Sequence, residues 1–419
     1  MRESTKIYLF DFIFQLSTAL DLVDKDFFWH HPKVAYISYL IGREYGLSEE
    51  NLNLLVYSAL IHDIGVFSLE EKERLTKYDI SGDEKHAFVG SKLLEISKNF
   101  SEQEKIIKYH HHDWDHGHGS THQGDIVPKL ANIIYIADRI EVLIDKDKEV
   151  KNQISFIENT INATYKNKFN PEIRTSVFKI LHSEQFYKYI NSFTIYDILA
   201  KRFNTSENLI GLKEIVFISR LFSFAIDFRV PFTYAHSNLV ADLARKMGEI
   251  LKLDKTTIIK LYISGLLHDI GKFSIPAKIL NKKNELEEGE FNVVKLHPWY
   301  TNIILKEIDN FEEITIWASH HHERLDGTGY PFSKNAEQLC DESMIIATCD
   351  IFATLNEDRS FRSKKTKEEI IEIFTNLKTN NKLPEKFLNI YLNNIDTFIK
   401  YCYKTRQKLK EKYNYCLNN

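Results

Sequence analysis

Histidine and aspartate residues recur through the second half of the chain at spacings that could build a metal site. In chain order they are His236, His268, Asp269, His297, His321, His322 and Asp350. Imidazoles and carboxylates without thiolates are typical of a catalytic site for divalent cations. Six or seven such ligands are too many for one tetrahedral zinc ion, and they suit two octahedral ions that share a carboxylate. Two cations ~3.5–4 Å apart can hold a hydroxide and polarise a phosphate for in-line attack.

The first half carries the same ligand types in the same order. They are His30, His62, Asp63, His86, His111, His112 and Asp138. His62 follows His30 by 32 positions, and His268 follows His236 by 32 positions as well. His31 could replace His30, but this shared spacing favours His30. We therefore predict a second candidate metal site in this half.

Both sets of polar residues lie in matching helical patterns, which indicates an internal duplication. Apolar positions pair up as Val34 with Val240, Ile37 with Leu243, and Ile41 with Met247. Glycine (15) and proline (8) are scarce among the 419 residues, and apolar periodicity runs through most of the chain. We predict an all-α protein of two tandem helical domains joined near residues 199–212. The assigned domains are residues 1–200 and residues 201–419, the second ending in a helical tail.

Several motifs in the second half resemble one family of phosphohydrolases. Between about Thr233 and Arg362 the chain reads "LLHDIGK", "IPAKIL", "HHERLDGTGYP" and "CDIFATLNEDRSFR". These motifs resemble the HD superfamily of metal-dependent phosphohydrolases and, within it, the HD-GYP family. The resemblance implies a bacterial phosphodiesterase that linearises cyclic dinucleotides at a two- or three-metal centre. Phe232 stands where three-metal members carry a carboxylate, so we expect two ions: iron or manganese first, with magnesium, nickel or zinc as alternatives.

The resemblance also implies a role for each matching residue. One metal ion would take His236, His268, Asp269 and Asp350. The other would take His297, His321 and His322, with Asp269 bridging the two. Asp269 and Lys272 would be catalytic, and Lys272 would join Tyr330, Arg359 and Arg362 in binding the substrate. His320, the extra histidine before the pair, is expected outside the ligand set.

The first half keeps the ligand types of an HD domain but lacks the groups that handle the substrate. Val66 replaces Lys272, "GHGSTH" replaces the Gly-Tyr-Pro turn, and the paired arginines have no counterpart. We expect a degenerate HD-type domain with a structural or regulatory role. A second hydrolase acting on another phosphate ester, or ligands that bind no metal, are the alternatives. Asp26 is either an extra ligand or an ordinary acid at a helix start, and the histidine-rich loop is expected to be solvated.

Composition limits the partners of this chain. A net charge of −4 gives no broad attraction to long nucleic acid or to an anionic membrane. No run of residues is long and apolar enough for a membrane span, and the start lacks the features of a signal peptide. The four cysteines form no CxxC pair, which favours free thiols in a reducing bacterial cytoplasm. A protein partner at the Gly-Tyr-Pro loop or the first half, and an oligomer, remain open.

Three functions are consistent with these residues. The leading hypothesis is hydrolysis of cyclic di-GMP or 3′,3′-cyclic GMP-AMP by the second half, and nothing in the sequence decides between the two nucleotides. A non-catalytic receptor or scaffold for a cyclic dinucleotide is an alternative, although an intact Lys272 and a full ligand set argue against it. A broader HD-type nucleotide phosphohydrolase is the third, and the Gly-Tyr-Pro block argues against that.

Overall fold

The computed structural model describes residues 5–22, 29–66, 85–97, 100–229, 234–358 and 363–417. Almost all of its regular structure is helical, so the predicted all-α class is confirmed. The chain divides into two compact units. The first takes the described residues from Tyr8 to Leu209, and the second takes those from Ile210 onward together with residues 5–7. The assignment of residues 1–200 and 201–419 to two domains stays a prediction.

The first unit contains ten α-helices within its described residues. They are α1 Leu9–Asp21, α2 His30–Tyr45, α3 Glu49–Leu60, α4 Lys85–Ser97, α5 Ser101–Lys108, α6 Lys129–Leu143, α7 Ile154–Ala163, α8 Pro171–Leu181, α9 Glu184–Tyr189 and α10 Thr194–Phe203. Short 3-10 turns cover Asp115–Ser120, Val150–Gln153 and Ser206–Asn208. The strands are two residues each: β1 Ile7–Tyr8, β2 Thr121–His122, β3 Asp125–Ile126 and β4 Leu209–Ile210. Strands β2 and β3 pair antiparallel as a small hairpin.

The regular structure of the second unit is mainly helical, and an isolated bridge pairs Asp326 with Asn335 in the irregular stretch before Asp341. Its helices are α11 Leu212–Phe228, α12 His236–Ile250, α13 Lys255–Leu267, α14 Ala277–Leu280, α15 Glu288–Val294, α16 His297–Leu305, α17 Glu312–Ser319, α18 Asp341–Leu355, α19 Lys367–Thr379, α20 Glu385–Asn393 and α21 Ile395–Leu417. A 3-10 turn covers Ile270–Ser274. None of the described helices in either unit combines the length and the apolar character needed to span a membrane.

Apolar residues at helical spacing build the core of the second unit. Leu239, Leu243 and Met247 lie one turn apart on α12 and are fully buried, as the 3.6-residue period requires. They belong to one cluster with Phe352 of α18 and Tyr391 of α20, whose rings stack at 4.2 Å. This packing sets the positions of the helix ends, where the polar residues of interest lie.

The candidate ligands occupy equivalent helix ends in the two units. His30 and His236 are the first residues of α2 and α12. The pair His62-Asp63 follows the end of α3, and His268-Asp269 follows the end of α13. A helix end can turn two adjacent side chains in one direction, which a helix interior cannot do. The helix ends therefore explain how an adjacent His-Asp pair can serve one site.

A glycine allows two of these helix ends to come together. A Cβ atom on Gly271 would lie 2.0 Å from the carbonyl oxygen of His297 and 2.6 Å from the amide nitrogen of Thr301. Gly65 in the first unit stands in the same relation to His86, at 2.1 Å from its carbonyl oxygen. Because both obstacles are backbone atoms, no side-chain movement can relieve the contact. The glycine is required for close packing between the His-Asp turn and the next ligand-bearing helix.

We predict that Gly271→Ala destabilises the second unit by ~1–3 kcal/mol, as overpacking usually does. The measurement is thermal and denaturant unfolding of the full chain. Gly289→Ala is the matched control, because its Cβ would meet nothing within 4 Å. The control should leave the unfolding midpoint unchanged or raise it. Equal midpoints for the two variants would contradict the close contact.

Candidate metal centre and adjoining pocket

Two groups of three buried side chains meet at one end of the second unit. The first group is His236, His268 and Asp350, whose ligand atoms lie within 4.8 Å of one another. His236 Nε2 is 3.1 Å from Asp350 Oδ1, and His268 Nε2 is 3.9 Å from the same oxygen. All three side chains are at most 8% exposed. They come from three different elements: the start of α12, the end of α13 and the middle of α18.

The second group is His297, His321 and His322, again within 4.8 Å of one another. His297 begins α16, and the adjacent pair follows the end of α17. The Nε2 atoms of His297 and His321 are 3.1 Å apart. His297 and His321 are fully buried, whereas the His322 side chain is 20% exposed.

Asp269 lies between the two groups and turns one oxygen to each. Its Oδ2 is 3.6 Å from His236 Nε2 and 3.4 Å from His268 Nε2. Its Oδ1 is 3.2 Å from His297 Nε2 and 3.9 Å from His321 Nε2. This is the arrangement expected of a carboxylate that bridges two cations. Burial opposes ionisation of Asp269, but His268, Lys272 and His297 hold its pKa well below the usual value.

The tautomers of three histidines direct their free nitrogen atoms into the cluster. In each ring Nδ1 donates to the carbonyl oxygen three residues earlier, so that Nε2 carries the lone pair. The pairs are His268 with Gly265 (2.9 Å), His297 with Val294 (2.7 Å) and His321 with Ala318 (2.6 Å). Nε2 of His268 is buried and makes no hydrogen bond. A buried nitrogen without a partner costs free energy, and a divalent cation would remove that cost. The donor set therefore fits metal binding.

Glu357 contacts Nδ1 of His236, the ring nitrogen that does not face the cluster. The Nδ1 atom of His236 lies 3.2 Å from Glu357 Oε2, and Glu357 is 1% exposed. Although burial opposes it, the carboxylates of Glu357 and Asp350 raise the pKa of His236 to about 10. Sequence reasoning missed Glu357, because it follows Asp350 by seven positions and lies beyond the end of α18. A carboxylate in this place orients the imidazole and increases its basicity.

The cluster forms the floor of a cavity of about 560 Å³. Lys272, Lys282 and Arg324 line its wall together with Asp227 and Glu285. Lys272 Nζ forms an ion pair with Asp269 Oδ2, and Lys282 Nζ forms one with Glu290 Oε2 at 2.6 Å. Tyr330 lies against His322 with ring centroids 4.7 Å apart. Aliphatic and aromatic side chains complete the lining. Arg324 was missed in the sequence, although it belongs to the "HHERLDGTGYP" motif that drew attention to its neighbours.

The structure does not describe every residue named from the sequence: Arg359, Arg362, Phe232 and Asp26 are outside the described residues. His320 is buried against Phe332 and away from both groups. Burial, followed by the charge of Lys334, lowers the pKa of His320 to about 4.

The first unit builds a related cluster. His30, His62 and Asp63 form one group, and Asp63, His86, His110 and His111 form another, which differs from the predicted set in having His110 and not His112. The register explains the difference. His110 follows His86 by 24 positions, as His321 follows His297, so the first histidine of this triplet matches the second of the other. His112 instead lies beside the small hairpin, where its ring centroid is 4.7 Å from that of His122.

Only one of the two carboxylate oxygens of Asp138 is available as a ligand. Its Oδ1 lies 3.5 Å from His30 Nε2, but its Oδ2 accepts a 2.7 Å hydrogen bond from the buried guanidinium of Arg139. His30 has a carboxylate behind it, as His236 does, with Nδ1 2.8 Å from Glu141 Oε2. His31, the alternative to His30, is held by Asp21 at 2.6 Å. The structure therefore places His30 in the cluster, and Asp138 there only in part.

Comparison with known families agrees with this geometry. Two family models, each described as "HD domain", match residues 28–143 and residues 220–382. The chain belongs to the HD-domain family. The resemblance seen in the sequence is thus confirmed, and each structural unit contains one HD domain.

Two named relatives align over most of the chain, and a third aligns over less than a third of it. The 3′3′-cGAMP-specific phosphodiesterase 1 of Vibrio cholerae is 27% identical over 400 residues, which cover 91% of this chain and 90% of that protein. The 3′3′-cGAMP-specific phosphodiesterase 3 of the same organism is 25% identical, covering 85% and 88%. A cyclic di-GMP phosphodiesterase of Pseudomonas aeruginosa is 36% identical over 132 residues, which cover 31% of this chain and 32% of that protein.

A solved structure shares the tandem fold. The crystal structure of V-cGAP3, a cyclic GMP-AMP specific phosphodiesterase of V. cholerae, superposes with a TM-score of 0.64 at 21% identity. The match covers 93% of this chain and 98% of that one. At this level of identity the likeness establishes the fold of the chain.

We predict that Glu357→Gln weakens metal binding by ~10–100-fold, because loss of a supporting carboxylate leaves the His236 imidazole less basic and less well oriented. The measurement is competition against a chelator with Mn²⁺ as the probe. Glu372→Gln, at an exposed position on α19, is the control and should bind as the unaltered chain does. Unchanged affinity in Glu357→Gln would contradict the supporting role.

Proposed function

We propose that the chain is a metal-dependent phosphodiesterase that opens a cyclic dinucleotide to its linear form. The reaction would take place at the centre of the second HD domain. The observation that carries this proposal is the Asp269 carboxylate, which turns one oxygen to each of two histidine-rich groups on the floor of a cavity. His236, His268 and Asp350 would hold one divalent cation, and His297, His321 and His322 the other. Iron or manganese is our first choice for the pair.

Divalent cations in such a centre supply Lewis acidity, which activates water as a nucleophile and polarises a phosphodiester. The rest of the work falls to side chains of the cavity. Lys272 carries its ammonium group at the edge of the cluster, where it can offset charge on the oxygen that leaves phosphorus. Arg324 and Lys282 add charge suited to the second phosphate of a cyclic dinucleotide. Tyr330 and the apolar lining offer surfaces against which bases can pack.

The coverage of the relatives supports a choice of first substrate. The two relatives that align over both HD domains carry cGAMP-specific names, whereas the P. aeruginosa cyclic di-GMP relative aligns over less than a third of the chain. We therefore propose 3′,3′-cyclic GMP-AMP as the first substrate to test, with cyclic di-GMP beside it. We further propose that the enzyme acts in the bacterial cytoplasm, in keeping with its four cysteines, none of which forms a disulfide bond.

We assign the first HD domain a structural or regulatory role. Val66 stands where the second domain has Lys272, so the ammonium group beside the bridging carboxylate is missing there. His112 and the loop that follows it take the place of the Gly-Tyr-Pro turn. Hydrolysis is thus proposed for one of the two domains.

The test is chromatography of the products from 3′,3′-cyclic GMP-AMP and from cyclic di-GMP, using protein purified without oxygen and assayed with Mn²⁺ or Fe²⁺. We expect linear dinucleotide from the unaltered chain, no product above background from Asp269→Ala, and most of the activity from Asp63→Ala or His62→Ala. Loss of turnover in Asp63→Ala at normal folding would contradict the division of roles. Tight binding of either nucleotide without turnover would replace the proposal with a receptor.

Lys272→Ala should lower kcat by ~10²–10³-fold, because it removes a cation aimed at developing charge rather than a metal ligand. Metal content should stay near that of the unaltered chain, which separates this variant from Asp269→Ala. Lys283→Ala is the control, since Lys283 is exposed and outside the cavity lining. A Lys272→Ala enzyme that raised KM with kcat unchanged would show that Lys272 only binds substrate.

A further inference from the structure

The described part of the first HD domain contains two groups of candidate ligands, and the smaller one is His30, His62 and Asp63. Asp63, His86, His110 and His111 form a single group of four, with ligand atoms within 4.8 Å of one another. Within the described part of the second domain the groups contain three residues each. Three distances define the centre of the first cluster. Asp63 Oδ1 to His86 Nε2 is 3.5 Å, Asp63 Oδ1 to His110 Nε2 is 3.6 Å, and His86 Nε2 to His110 Nε2 is 3.3 Å.

These separations match the edges of a small tetrahedron. Zinc–nitrogen and zinc–oxygen bonds of ~2.0–2.2 Å in tetrahedral geometry place neighbouring ligand atoms ~3.3–3.6 Å apart. A single cation at the centre of the group would therefore reach Asp63, His86 and His110 with little rearrangement. His111, the fourth member, belongs to the same group and supplies the remaining corner.

Proton positions also call for a cation there. His110 Nδ1 donates to the carbonyl oxygen of Ile107 at 2.7 Å, so its Nε2 carries a lone pair. That lone pair faces Asp63 Oδ1, a carboxylate oxygen that is buried and makes no hydrogen bond. Either a proton on His86 Nε2, 3.3 Å from His110 Nε2, or a cation at the centre of the group satisfies these two acceptors, and only a cation also uses a lone pair of His86.

A second cation, at the group of His30, His62 and Asp63, would lack the free carboxylate that Asp350 supplies in the second domain. In the second domain Asp350 Oδ2 faces His322 Nδ1 at 3.8 Å, and the next residue, Ile351, carries no charge. In the first domain Asp138 Oδ2 is held by Arg139, whose side chain is 4% exposed. A guanidinium stays charged at any relevant pH and repels a neighbouring cation. Asp138 accordingly belongs to none of the three- or four-ligand groups found in the described residues.

We propose that the first HD domain holds one tetrahedral zinc-type ion, bound by Asp63, His86, His110 and His111. Arg139 replaces the second ion of the other domain. Four protein ligands fill a tetrahedral coordination sphere, which is the mark of a structural rather than a catalytic zinc site. The inference does not rest on the phosphodiesterase proposal, since it concerns a different domain and a different number of ions.

Cobalt substitution of the full chain provides the test. Tetrahedral Co²⁺ absorbs strongly in the visible region, whereas octahedral Co²⁺ absorbs weakly, so the six-coordinate centre expected in the second domain does not obscure the signal. We expect the strong band in the unaltered chain and in Asp269→Ala. Its absence from the unaltered chain would overturn the proposal, whether or not the chain hydrolyses a dinucleotide.

Paired variants identify the ligands. His86→Ala and His110→Ala should lose the strong cobalt band, while His30→Ala and His112→Ala should keep it. His30 is as deeply buried as His86 and His110, so it controls for the loss of a buried imidazole. The opposite pattern, with the band lost in His30→Ala and kept in His86→Ala, would place the ion with His30 and His62 instead. Unfolding of the metal-free variants, followed by circular dichroism, checks that each chain is folded.

A gain of metal tests the role of Arg139 without removing any ligand. Arg139→Met keeps the length of the side chain and releases Asp138 Oδ2. Counting by mass spectrometry should then find one more ion per chain than in the unaltered protein. The matched exchange Arg43→Met, on the exposed end of α2, should leave the count unchanged. An unchanged count in Arg139→Met would overturn the idea that the guanidinium takes the place of a cation.

Discussion

One carboxylate surrounded by imidazoles is the interaction on which both HD domains depend. Asp269 faces both groups of candidate ligands. The ring of its neighbour His268 is held by a hydrogen bond from Nδ1 to the carbonyl oxygen of Gly265, and its Nε2 faces Asp269. The same tie to the carbonyl three residues earlier occurs at His297 and His321, so backbone geometry rather than side-chain packing orients the nitrogen atoms. Each ligand is thereby preorganised by the helix end that carries it. The conformational entropy of these side chains is lost during folding and not during binding.

Because the domain is duplicated, the features that both domains share can be distinguished from those that only the second domain has. Both domains keep the histidine at a helix start, the His-Asp turn, the packed glycine and the carboxylate behind the first histidine. They differ at single positions beside these parts: Val66 against Lys272, and Arg139 against Ile351. Small changes next to a shared framework are enough to give the two clusters different charge.

Helical class and ligand types were predictable from the sequence because repeated spacing is a long-range signal that survives loop variation. The register of the first histidine triplet could not be predicted from the sequence. Matching like letters aligned His112 with His322, whereas the length of the helical hairpin after His86 decides which histidine points inward. The carboxylates that contact the first histidine of each cluster could not be predicted from the sequence either. Glu141 follows Asp138 by three positions within a helix, and Glu357 follows Asp350 by seven beyond one, so no common spacing reveals them.

Placing the ligands at helix ends couples cation binding to helix formation. His236 and His297 are the first residues of their helices, where amide groups have no intrahelical acceptor and fraying begins. The affinity for a cation bound there depends partly on how well these first helical turns are ordered. Binding in turn raises the free energy needed to open those turns locally. The concentration of metal would thus set, by mass action, the fraction of protein molecules in which these first helical turns are closed before any substrate binds.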